Sequence, residues 1–280
     1  MPKTVEQRRA DFRALHQRGC FVIPNPWDVG SARLLAGMGF KALASTSSGF
    51  AWSQGAADYR MSREAVIEHL RLLVDATELP VNADFESGYA DTPEGVARSV
   101  RMAIDTGVAG LSIEDSTGLD HGDPIRPLDE AVARLRAARR AIDESGSDVM
   151  LIGRCENFWL GKPELEDTVR RLKAYSEAGA DCLYAPLIRT EADIKAVVQA
   201  VAPKPVNLLV SGESPLTMQQ IAALGVRRVS VGGALARVAW GGFLRAARML
   251  ANEGRFDGFA GAAPGKELNA FFEGPGAPKA

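Results

Sequence analysis

The stretch VNADFESGYADTPEGVARSVRMAIDTGVAGLSIED, residues 81–115, reads as one complete strand–helix–strand unit. A short apolar run, 79–84, ends on Asp84. Thr92-Pro93-Glu94 then has the signature of a helix start: a capping hydroxyl, a proline in the first turn and an early acid. The helix runs over 92–107 and stops at Gly107, and a second apolar run, 109–114, ends on Glu114. Helix end at glycine, small residue, then strand is the turn that returns a helix to a parallel sheet. The segment AGADCLYAP, 178–186, repeats that logic.

Working outward, apolar runs at 20–25, 42–46, 79–84, 109–114, 148–154, 180–185, 205–210 and 227–231 give eight strands. They are continuous rather than alternating, as strands covered on both faces are. Helical patterns lie between them at 62–76, with Ser62 as cap, and at 92–107, 127–143 and 163–179. Eight such repeats in about 250 residues predict an α/β fold, the parallel eight-stranded (β/α)8 TIM barrel. The barrel with its N-terminal helix spans 1–254, and a helical tail spans 255–280. A long helical region, 233–254, is interrupted by Gly241-Gly242; a loose linker and a helix at 265–272 follow. The glycine pair reads as a plain helix break or as a hinge that sends the last helix onto a neighbouring subunit.

Composition narrows the function. Of 280 residues 46% are hydrophobic and 24% charged, with a formal net charge of -2. No global basic field argues for nucleic acid. Basic clusters such as Arg170 to Lys173 read as solvated helix faces. No signal-type segment opens the chain and no apolar run approaches the ~20 residues of a membrane span, so a cytoplasmic location is expected. Cys20, Cys155 and Cys182 are widely spaced and sit in or beside apolar runs, as small buried residues do.

In such barrels chemistry sits at the C-terminal ends of the strands. Those ends carry Asn25 and Asp28, the small-residue turn STSSG, Asp84 and Glu86, Glu114 and Asp115, Arg154 with Glu156 and Asn157, Ser211 to Glu213, and Gly232-Gly233. Asp84, Glu86, Glu114 and Arg154 thus converge on one mouth. Alternation points Asp84 and Glu86 to one side with Phe85 turned into packing. Three acids against one arginine leave charge over, which suits Mg2+ with oxygen ligands; a purely structural ion-pair network is the bland reading. With three His in the chain, a zinc site is disfavoured. The STSSG turn, like VGGALAR after the last strand, offers donors for a carboxylate or phosphate, or is a plain tight turn. Asp58 lies in the loop after strand 2, and His121 in the loop after strand 4.

The chain resembles the isocitrate lyase/phosphoenolpyruvate mutase superfamily. The resemblance runs from Phe21 to Gly254 through NPWDVGSARLLAGMGF, SSGFAW, GAADYRMSREAVIEHLRLL, VNADFESGYAD, GLSIEDS, LIGRCENF and RLKAYSEAGADCLYAP, in that order. It implies a Mg2+ enzyme, Mn2+ being the alternative ion, that makes an enolate from a 2-oxo acid. Asp84 would be the direct metal ligand, with Glu86 and Glu114 holding metal-bound waters. Ser48 and the Gly49 and Phe50 amides would bind the substrate carboxylate, and Arg154 the oxygens of the reacting unit. Asp58 matches an acid near the reacting group in the mutase branch. The family exchanges its last barrel helix between subunits, so a homo-oligomer, a dimer of dimers, is implied.

Two departures matter. Many members have Asp-x-Asp where this chain has Asp84-Phe85-Glu86. The loop EDSTGLDHGDPIRPLDEA, 114–131, lacks both the lyase-branch cysteine motif and the longer mutase-branch gating loop. The expected activity is therefore cleavage of a C–C bond in a 2-oxo or 2-hydroxy di- or tricarboxylate, by retro-Claisen, retro-aldol or decarboxylation chemistry. Asp58 and His121 are the candidate proton carriers. The alternatives are phosphorus–carbon chemistry on phosphonopyruvate, and a 2-oxo acid binding protein with little turnover.

Overall fold

The computed structural model describes residues 2–118 and 124–274. In chain order its elements are α1 (Val5–Leu15), β1 (Phe21–Ile23), α2 (Val29–Gly37), β2 (Leu43–Ala44), α3 (Ser47–Ser53), α4 (Arg63–Asp75), β3 (Val81–Asp84), α5 (Pro93–Ile104) and β4 (Gly110–Glu114). There follow α6 (Leu128–Glu144), β5 (Met150–Arg154), α7 (Leu165–Glu177), β6 (Cys182–Tyr184), α8 (Glu191–Val201), β7 (Val206–Leu209), α9 (Met218–Ala223), β8 (Arg228–Ser230), α10 (Ala234–Glu253) and α11 (Gly265–Glu273). The strands form one parallel eight-stranded sheet in the order β1-β8-β7-β6-β5-β4-β3-β2. This is the expected (β/α)8 barrel, with each strand shorter than its apolar run.

The β1–β2 seam closes by another device. Pro24 and Pro26 have no N–H to extend the ladder. One backbone bond crosses, Ala44 N to Pro24 O at 3.0 Å. The Asn25 side chain does the rest: it donates to Ser45 O at 2.9 Å, and its Oδ1 accepts from the Val231 and Gly232 amides, each at 2.9 Å.

Alternation along the strands sorts side chains between two environments. Ala83, Phe85, Leu111, Ile113, Leu151, Leu183, Leu208 and Val229 pack outward beneath the helices. Asn82, Asp84, Ser112, Arg154, Tyr184, Asn207 and Arg228 face a cavity inside the barrel. α1 plugs the opposite end, where Phe12 joins Ile23, Met150, Ile152 and Cys182 in an apolar cluster. Burying such a phenylalanine contributes roughly 1.5–3 kcal/mol.

Several expectations need correction. Gly241-Gly242 does not interrupt the last barrel helix: α10 runs unbroken for 20 residues. Glycine costs a helix about 1 kcal/mol per position, which the flanking Ala, Leu and Arg residues absorb. The STSSG turn is the start of a helix, α3, capped by the Thr46 hydroxyl. Arg171 is not on a solvated face; it is buried and paired with Asp115 at 3.3 Å and Asp167 at 2.7 Å. Cys155 is buried among the outward-packed residues, as a small residue beside an apolar run is expected to be.

α10 itself is thinly covered. Ala236 is its one buried residue, while Val238, Trp240, Phe243, Leu244 and Leu250 are exposed. α11 turns back to α2: Arg33 donates to Phe272 O at 3.0 Å, with its guanidinium 5.1 Å from the Phe272 ring. Among the described residues no helix is long and apolar enough to cross a membrane.

Candidate active site

A cavity of about 390 Å³ opens at the C-terminal ends of the strands. Asp84, the last residue of β3, projects into it. Its Oδ2 accepts from the Ser47 amide at 2.9 Å and the Ser47 hydroxyl at 3.0 Å. Its Oδ1 accepts from Arg154 Nη1 at 3.0 Å. The same nitrogen lies 3.2 Å from Glu114 Oε2, and Arg154 Nε donates to Glu156 Oε1 at 2.5 Å. The Tyr184 ring faces the guanidinium at 5.1 Å, and the Tyr59 hydroxyl donates to Glu114 Oε1 at 2.8 Å.

The ion pairs of the bland reading therefore exist, but they do not balance. Glu114 and Glu156 are fully buried, and burial pushes both carboxyls above the usual range, with the other acids adding to it and Arg154 opposing. Burial also works against the Arg154 charge, yet Glu114, Glu156 and Asp84 outweigh it and keep the guanidinium protonated. Among the described residues Glu156 Oε2 is buried with no hydrogen-bond partner.

Glu86 reaches this group by another route than alternation. β3 ends at Asp84; Phe85 turns outward as expected, and Glu86 sits at φ 44° in the left-handed region. The fully buried Arg134 fixes the loop, donating to the carbonyls of Ser87 and Ala90 at 2.6 Å each and of Asp91 at 3.0 Å. Glu86 is buried outside the cavity lining, and burial lifts its carboxyl to about 8. The buried Tyr89 hydroxyl lies beside it, and burial, with the Glu86 charge adding to it, pushes that phenol well above its ordinary range.

Ser48 and Asp58 line the cavity. The Gly49 amide donates to Thr46 Oγ1 at 3.3 Å and the Phe50 amide to Thr46 O at 3.0 Å, so both serve the first turn of α3. Burial raises the Asp58 carboxyl, and the neighbouring Asp84 charge raises it further. His121 lies outside the described residues. Behind the mouth, Asp115 ties three elements together: its Oδ1 accepts from the Glu156 amide at 2.7 Å and its Oδ2 from the Tyr175 hydroxyl at 2.6 Å and Arg171 at 3.3 Å.

Sequence reading singled out Asp84, Glu114 and Arg154 but passed over Ser47, Tyr59 and the contact made by Glu156. The signals were present: Ser47 adjoins Ser48, Tyr59 follows Asp58, and Glu156 lies two residues past Arg154, on the same side of an extended chain. Among the described residues no group of three or more acids, His or Cys closes around a common point as a complete metal cage does. The donor chemistry does fit a hard divalent cation. All donors are oxygens, two carboxylates, Asp58 and Asp84, line the cavity, and the acids gathered on Arg154 outnumber that guanidinium. Mg2+ characteristically takes one or two carboxylates and completes its shell with water and substrate.

A parallel barrel with a buried acid–arginine cluster and an open cavity at its strand ends defines an enzyme of the TIM-barrel class. The chain matches the phosphoenolpyruvate phosphomutase family over residues 12–251 and belongs to it, within the isocitrate lyase/phosphoenolpyruvate mutase superfamily of lyases and mutases. It is similar to a solved protein from Burkholderia cenocepacia J2315, assigned provisionally as a lyase/mutase, with 46% identity, 98% of this chain and 99% of that one covered, and a TM-score of 0.94. The oxaloacetate decarboxylase of Marinomonas sp. strain MWYL1 is 32% identical over 236 residues, 81% of this chain and 79% of the relative. An oxaloacetate acetylhydrolase solved with its product oxalate is 27% identical, covers 97% of this chain and 95% of that one, and has a TM-score of 0.84.

Proposed function

We propose that the protein is a Mg2+-dependent lyase that cleaves a C–C bond of a 2-oxo or 2-hydroxy di- or tricarboxylate through an enolate. The observation that carries this reading is Asp84 held at the cavity edge by Ser47 and Arg154 amid an excess of buried carboxylates. Similarity to an oxaloacetate decarboxylase and an oxaloacetate acetylhydrolase supports the substrate class.

In this reading Asp84 would hold the cation directly, and Glu86 and Glu114 its waters. Held there, a divalent cation would supply Lewis acidity to the 2-oxo or 2-hydroxy acid. The Ser48 hydroxyl, on the cavity wall, orients the substrate carboxylate; the Gly49 and Phe50 amides assist by keeping the first turn of α3 in place. Arg154 faces the oxygen on which negative charge grows as the C–C bond breaks, a fixed cation in a water-poor site. The electron pair of that bond passes to the enolate, which then takes a proton at carbon; the other fragment leaves as carbon dioxide in a decarboxylation, as a carbonyl compound once its hydroxyl has given up a proton in a retro-aldol step, or as a carboxylic acid after water has added in a retro-Claisen step. Asp58, whose raised carboxyl retains a proton more readily than a solvent acid, is the carrier within reach of the cavity; His121 is the second candidate.

Purified protein with Mg2+ and a panel of 2-oxo and 2-hydroxy di- and tricarboxylates, followed by NMR, tests this. Turnover that disappears in Asp84→Ala and on chelation supports it. Turnover that survives both sinks it. We also propose that the apolar face of α10 is covered by a second copy of this chain, in a dimer of dimers with the 255–280 tail as a separate segment. Sedimentation of Trp240→Ser/Phe243→Ser as monomer, against an oligomeric parent, is the expected result.

A further inference from the structure

We propose that Arg228 is a specificity residue that holds a second, distal carboxylate of the substrate; this rests on the reading of the site as one for 2-oxo or 2-hydroxy acids. Arg228 is a β8 residue that lines the cavity and is only 3% exposed. Its Nε donates to Asn207 Oδ1 at 2.8 Å and its Nη1 to Asn82 Oδ1 at 3.4 Å. Both acceptors are neutral amides. Among the described residues no carboxylate lies within ion-pair distance of Arg228, whereas Arg154 has three. A buried charge without a counter-ion is costly, so a partner from outside the chain accounts for it better than packing does.

The setting is built rather than incidental. Asn207 is fully buried and turns its amide nitrogen to Ser230 Oγ at 3.0 Å, which aims its oxygen at Arg228. Gly110 leaves the space that Asn82 occupies: a Cβ there would stand 2.7 Å from Asn82 Oδ1. Arg228 Nη2 has no partner among the described residues, which leaves a donor for a ligand. The cavity is also polarised. Its two lining acids, Asp58 and Asp84, come from the β2 loop and β3, while β6 to α10 contribute Arg189, Arg228 and Arg237 and no acid. A ligand whose reacting end meets Asp84 and Arg154 is therefore matched by a second carboxylate at its other end, the shape a guanidinium fork recognises.

Malate and lactate of the same configuration differ by that one carboxylate. Their binding in Mg2+ buffer, measured by calorimetry on the parent, Arg228→Gln and Arg228→Lys, tests the inference. The parent is expected to prefer malate by about tenfold or more. Arg228→Gln, which keeps an amide for Asn207, should lose that preference to within about twofold while binding lactate as the parent does; Arg228→Lys should keep part of it. No preference in the parent, a preference that survives Arg228→Gln, or lactate weakening in step with malate each overturns the inference. Should Arg228→Gln not fold, a lysine variant that prefers malate as strongly as the parent also overturns it. A parent that binds neither acid, with or without Mg2+, overturns the functional reading along with it.

Discussion

Asp84 and Arg154 meet at 3.0 Å although 70 residues separate them in the chain. The arginine nitrogen that makes this contact also stands 3.2 Å from Glu114, so Arg154 sits between two of the acids proposed to serve the cation. A cation held by Asp84 would compete with the guanidinium for its Oδ1. Arg154→Met is expected to lower turnover by at least about 10²-fold, the scale of losing one charge stabiliser. Mg2+ affinity, read by calorimetry, should stay equal or rise. The apo variant should lose roughly 3–5 kcal/mol in urea unfolding, because Glu114 and Glu156 are left buried without their partner. Mg2+ affinity falling in parallel with turnover would show that Arg154 builds the metal site instead.

The buried acids give the metal-free protein a pH signature. Burial lifts the Glu86 carboxyl from the ordinary 4.5 to about 8. Between those values the native state retains a proton that the unfolded chain has released, so stability is fully present below about pH 4.5 and is lost as pH rises through 8. Urea midpoints measured in EDTA should fall across this window, and Glu86→Gln should flatten the fall. Added Mg2+ should restore stability at pH 8, because it binds only the native, ionised cluster. A midpoint that rises from pH 5 to pH 8 in EDTA counts against the buried cluster.

How much of this could be read in the chain depends on distance along it. The eight strands show as local apolar runs, and the barrel follows because few folds accommodate eight strand–helix repeats. Asp84, Glu114 and Arg154 were legible because each ends such a run, and a strand end fixes where a side chain emerges. Arg228 was not, since 227–231 reads only as the eighth strand and nothing local marks one of its charges as buried; its burial appears only when β7, β3 and β8 close around it. Tyr59 likewise reaches Glu114 across 55 residues, a contact no local pattern announces. The Gly241-Gly242 pair misled because propensity weighs less than the surrounding helix formers.

Asp115 and Tyr175 offer a test of the support behind the mouth. The Tyr175 hydroxyl donates to Asp115 Oδ2 at 2.6 Å, and both residues are buried. Tyr175→Phe removes one of the donors on a buried carboxylate and should cost about 1–3 kcal/mol in denaturant unfolding. Asp115→Ala should cost more, roughly 3–5 kcal/mol, because it leaves the buried Tyr175 hydroxyl without its acceptor and removes one of the two carboxylates paired with Arg171, Asp167 remaining. It also frees the Glu156 amide, and with it the residue that holds Arg154 Nε, so turnover should fall in the alanine variant and hold in Tyr175→Phe.

Gly49→Ala probes the wall that presents Ser48. Gly49 is buried in the first turn of α3, and a Cβ there would stand 2.6 Å from Thr46 Cγ2 and 3.0 Å from Trp27 Cβ. Thr46 is the cap of α3 and cannot swing away without giving up its bond to the Gly49 amide. Trp27 and Ala236, 3.4 Å from the same Cβ, close the other sides, so the clash is relieved by moving the turn. Overpacking of this kind costs about 1–3 kcal/mol. Displacing the turn shifts Ser48 and also Ser47, which holds Asp84, so KM for the carboxylate substrate should rise and kcat should fall. A melting temperature and KM both equal to the parent's would show that α3 yields freely and that its first turn does not position the substrate.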